Sequence, residues 1–146
     1  MQRKVLSILY ILTGLSMYAS HGKLNNNFQA AGHIELIQQQ ISEIARLIER
    51  TSQGIYAQDV NQLATIAQRF NQVLVEHDLE PIAILEDSGD RVENIGLVIT
   101  MLADMNAKAE MLKRVLGGIQ LDLNQQEILA SIPNSLQGLY NFLSLA

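Results

Sequence analysis

Three histidines, His21, His33 and His77, and a run of acids between Glu76 and Glu93 are the side chains of this sequence best suited to chemistry. Histidine titrates near neutral pH and is a common metal ligand. A di-metal helical bundle would need Glu-x-x-His on two helices and two further carboxylates. No Glu-x-x-His occurs, because Tyr18, Ala30 and Leu74 stand three residues before the histidines. His77 lies in Glu76-His77-Asp78-Leu79-Glu80, where a helix is predicted to end. An imidazole there suits the negative end of the helix dipole better than a metal.

Seven acids fall between Glu76 and Glu93. A calcium loop needs oxygens at positions 1, 3 and 5, Gly at 6 and Glu at 12. Counting from Asp78 puts Ile82 at 5 and Gly89 at 12; counting from Asp87 puts Val92 at 6. Both registers fail, and a solvated acidic loop that also caps a helix is expected. No Gly-x-Ser-x-Gly elbow is present, and Gly117-Gly118 follows a predicted helix, whereas a phosphate loop precedes one. Cysteine is absent, which removes disulfides, thiolate metal sites and Cys nucleophiles. No catalytic residue, cofactor or metal ligand is therefore assigned, and the expectation is a non-enzymatic protein.

The elements that would position these residues are helical. Ile34, Ile37, Ile41, Ile44, Ile48 and Ile55 follow steps of three, four and seven, which keep one stripe of a helix. Leu36 and Leu47 widen the stripe, which favours an intramolecular core over a coiled-coil seam. The triplet Asn25-Asn26-Asn27 predicts a linker, Asn27 a helix cap, and Gly54 a stop. Asp59, Asp90 and Asn124 each stand three residues before Gln or Glu, the spacing of a capping box. Helices are predicted behind each. The longest carries Ile95, Val98, Leu102, Met105, Ala109, Leu112 and Leu116, and spans about 40 Å. Met101 and Met105 belong to its core stripe. Pro81 and Pro133 are expected to end helices. Residues 81–85 read as an apolar patch, one helical turn tucked against the core. No strand alternation is visible. The fold class is all-α, an antiparallel up-and-down bundle of four to five helices.

A chain of 146 residues fits one such domain. The domain is assigned to residues 23–146. Residues 1–22 form a separate segment, a signal peptide or an apolar helix: Arg3 and Lys4 precede an uncharged run over 5–19. That run is short for a membrane span, which needs about 20 residues. Export to the periplasm, or membrane association through residues 5–19, is expected; a cytoplasmic helix is the alternative.

Charged residues make up only 17% of the chain, against a usual value of about 25%. Fourteen Gln and ten Asn replace them, and net charge is −5. Ten basic residues scattered among fifteen acids cannot supply a nucleic-acid stripe. In composition the chain resembles the Gln-rich helical exported parts of bacterial secretion and conjugation machines. The resemblance implies a component or accessory factor of a larger assembly, working through protein partners or a second copy of itself. Leu36, Leu47, Ile82 and Ile84 are the apolar residues expected to remain for contact. A cytosolic adaptor or chaperone-like bundle, and a sensory bundle with an apolar pocket, are the rival readings.

Overall fold

A computed structural model describes residues 23–50 and 54–145. Four helices carry the chain: α1 Lys23–Glu49, α2 Ala57–Glu76, α3 Arg91–Gly117 and α4 Leu123–Leu145. No strand occurs among the described residues. The predicted all-α bundle is the fold. None of these helices is long and apolar enough to cross a membrane. The segment over residues 1–22, with His21, lies outside the described residues.

The isoleucine ladder lies wholly inside. Ile34, Ile37, Ile44, Ile48 and Ile55 are 0–1% exposed and Ile41 is 9% exposed. Leu63, Ile66, Phe70, Val73 and Leu74 of α2, and Val98, Leu102, Met105, Leu112 and Leu116 of α3, share this core. Met101 joins them. From α4 come Leu129, Ile132, Leu136 and Leu143. Each helix packs on its neighbour in sequence, and α1 closes the ring against α4; α3 and α4 share the most extensive contact.

α1 and α2 are antiparallel, since Gln29 and His33 near the start of α1 reach Glu76 and His77 at the end of α2. α3 and α4 form a second antiparallel hairpin, and Asn106 donates to Gln137 across it. The link between the hairpins is longer. The amide of Ile55, just before α2, donates to the Arg91 carbonyl at the start of α3 (2.9 Å). The starts of α2 and α3 therefore lie at one end of the bundle. Residues 77–90 return along α2 as an extended strap. Asn71 fixes its course by donating to the Ile82 carbonyl (2.9 Å) and accepting from the Ile82 amide (2.7 Å). Residues 81–85 are thus extended rather than one helical turn. The Asn71 side chain satisfies the backbone groups that a turn of helix would pair.

Helix starts follow local chemistry, with shifts. Asp90 caps α3 as expected, accepting from the amides of Val92 (2.7 Å) and Glu93 (3.3 Å). The cap of α2 is Tyr56, three residues before the expected Asp59, and Asp59 accepts from the Tyr56 amide (3.4 Å). α4 begins with a reciprocal box two residues before Asn124. Asp122 accepts from the Gln125 amide (2.7 Å), and Gln125 accepts from the Asp122 amide (3.1 Å). Asn25-Asn26-Asn27 and Gly32 lie within α1. Pro133 sits inside α4 and is buried, so the helix does not end there. Proline removes one amide from the ladder, but Ile132 and Leu136 on either side are buried against the core, and tertiary packing holds the helix through it.

Candidate functional site

The residues most able to do chemistry meet where α1 begins and α2 ends. His33 lies on the buried stripe of α1, between Ala30 and Ile37, and is 1% exposed. His77 is the residue after α2. The backbone there ends in a Schellman turn: the Asp78 amide donates to the Val75 carbonyl and the Leu79 amide to the Leu74 carbonyl. Asp78 holds φ +59° in this turn, a position that favours glycine. Leu79 and Leu74 both pack into the core beneath it. The turn brings the half-buried His77 ring over His33.

The two rings meet edge to face with centroids 5.1 Å apart. His33 Nδ1 lies 3.0 Å from His77 Nε2. His33 Nε2 lies 2.9 Å from Oε2 of Glu76, and the same oxygen accepts from Gln29 Nε2 at 2.9 Å. A carboxylate only accepts, so His33 carries its proton on Nε2 and accepts at Nδ1. His77 then donates from Nε2. The order is His77 to His33 to Glu76, a directed chain across two helices. Burial lowers His33 from its ordinary 6.5 to about 4. His77 is lowered as well, by burial and then by the neighbouring His33, against the opposing pull of Glu76 and Asp78. The pair is therefore neutral near pH 7.

No cluster of three or more His, Asp or Glu able to hold a metal ion occurs among the described residues. His33 and His77 spend their facing nitrogens on each other. The expectation for His77 at a helix end is met in position, since it is the residue that caps α2. The partner it finds, His33, was not foreseen. One signal was available: a histidine on the buried stripe of an amphipathic helix needs a polar partner across the interface. Gln40, two turns further along the same stripe, is also 1% exposed.

Leu36, Leu47 and Ile82 are 8%, 5% and 6% exposed and belong to the core; Ile84 is partly buried against it. The bundle covers these four itself. Among the described residues, the large apolar side chains it leaves open are others: Tyr56, Val75, Val92, Met111, Val115, Leu123, Phe142 and Leu145, each at least 40% exposed. All lie within two turns of a helix end. By helix direction Val75, Met111, Val115 and Leu123 lie toward the end that holds the histidines, and the other four toward the opposite end. Compared with known proteins, the chain matches no family model, no curated protein and no solved structure.

Proposed function

We propose that the chain is a non-enzymatic helical-bundle protein that acts through protein–protein contacts, as a component or accessory factor of a larger, secretion-type assembly. The observation that carries this reading is the placement of its exposed apolar side chains. They collect at the two ends of the bundle and leave the flanks polar, with Leu123 at 72% and Val92 at 62% exposure. Large apolar side chains exposed at the ends of a weakly charged bundle favour association with another protein. An exported or membrane-associated location belongs to the same proposal and rests on the uncharged run over 5–19.

The test is site-specific photocrosslinking in the native cell. Crosslinkers at positions 115 and 123 should each trap one species of defined mass. A crosslinker at position 68, on an exposed polar flank, should not. Leu123→Asp should abolish the product formed from position 115. Equal crosslinking from all three positions, or none from any, would overturn the proposal. A product of twice the chain mass would identify the partner as a second copy.

A further inference from the structure

We propose that His33, His77 and Glu76 form a proton-operated latch, whose protonation uncouples the first turns of α1 from the end of α2 while the rest of the bundle stays folded. The hydrogen-bond chain carries this inference, independently of any partner. With both rings neutral, each contact has one donor and one acceptor: His77 Nε2 to His33 Nδ1, and His33 Nε2 to Glu76. One added proton on His33 Nδ1 can be held only if His77 Nε2 becomes the acceptor and its own proton stands on Nδ1. A second added proton leaves no acceptor. Two cationic rings would then face each other, N–H against N–H, across 3.0 Å.

Burial acts in the same direction. His33 is 1% exposed, so a charge placed there has no water to solvate it. The charged groups facing the pair are Glu76 and Asp78 from the end of α2, along with the rings themselves. Among the described residues, α3 and α4 give neither ring an ion pair. Among the described residues, one further polar bond, Gln29 to Glu76, joins the two helices here and depends on the same carboxylate oxygen. The far end is held by Asn94, an amide that does not titrate. Histidine protonation therefore acts on one end of the molecule.

Hydrogen exchange of the full chain near pH 7.5 and near pH 5, corrected for intrinsic rates, tests the latch. Amides over 30–37 should open about 30-fold more readily at the lower pH, because His33 then resists a proton that the unfolded ring accepts. Amides over 94–102 should stay better protected than 30–37 at both pH values, opening only when the whole bundle does. His33→Leu should flatten the response at 30–37. His77→Gln removes the second ring at a half-buried position that folding tolerates better, and should diminish the response. Protection at pH 5 that is no lower over 30–37 than over 94–102 would overturn the latch. So would a full wild-type response in His77→Gln.

Discussion

Asn94 at one end of the bundle and His33 at the other are each 1% exposed, and each ties together segments far apart in sequence. Asn94 donates to the Ile55 carbonyl and to Asp87 Oδ1, both at 2.8 Å. Its own oxygen accepts from the Ser88 amide (3.0 Å) and hydroxyl (2.8 Å). Both amide protons are used and the oxygen accepts from the Ser88 amide, so the orientation of Asn94 in this clasp of α3, the strap and the start of α2 is fixed. The histidine end has the same burial and fewer bonds, and its two central groups can change charge. A buried amide fully satisfied fixes structure; a buried imidazole pair fixes it only while neutral. The difference between the ends is one of chemistry at equal burial.

The largest blow to this contrast should come at the amide end. Asn94→Leu removes four hydrogen bonds and strands the Ile55 carbonyl, so it should cost about 3 kcal/mol in urea unfolding at any pH near neutral. Next is Gly54→Ala, beside the same clasp. Gly54 holds φ +143°, and an added Cβ would stand 2.8 Å from Arg91 Cβ. A loss of about 2 kcal/mol is expected, with Tm falling accordingly. A loss below about 0.5 kcal/mol would mean that the start of α3 yields easily and that this end is the softer one.

The histidine end should answer to pH instead. The unfolded rings bind protons near 6.5, whereas folded His33 binds one only near 4. Between those values the unfolded state holds more protons, so stability is full above about pH 6.5 and falls as pH drops toward 4. His33 alone should account for roughly 2 kcal/mol lost between pH 7.5 and pH 5. Denaturant titrations should show that loss in the Asn94→Leu chain and not in His33→Leu; the reverse pattern would erase the contrast. The smallest expected effect is a gain. Asp78→Gly relieves the left-handed residue in the turn under His77 and should add about 0.5–1 kcal/mol, read as a higher urea midpoint.

Much of the frame was legible in the residues. The isoleucine stripe, the Asp90 cap and the stripe of α3 depend on spacing within one helix, and local spacing survives folding. The readings that moved depended on distant partners. Pro133 signals a break, yet α4 continues because its flanks are buried in the core. Residues 81–85 are apolar enough for a turn of helix, yet Asn71 of α2 draws them out straight. Leu36, Leu47, Ile82 and Ile84 cannot be separated from surface residues by hydrophobicity alone. Burial is a property of what lies opposite. The histidine site was half visible: His77 announced a helix end, while His33 looked like one more position of α1.

By itself the sequence determined that this protein is a bundle of helices with an isoleucine core and a surface of amides, because period and composition act residue by residue. Tertiary structure decided the rest. It turned the strap back so that α2 and α3 start together, set a proline inside a helix, and brought His33 against His77 from 44 residues away. Each of these rests on a group finding its hydrogen-bond partner or its cover across the core. Such partners are fixed only when the helices pack, so no spacing along the chain records them.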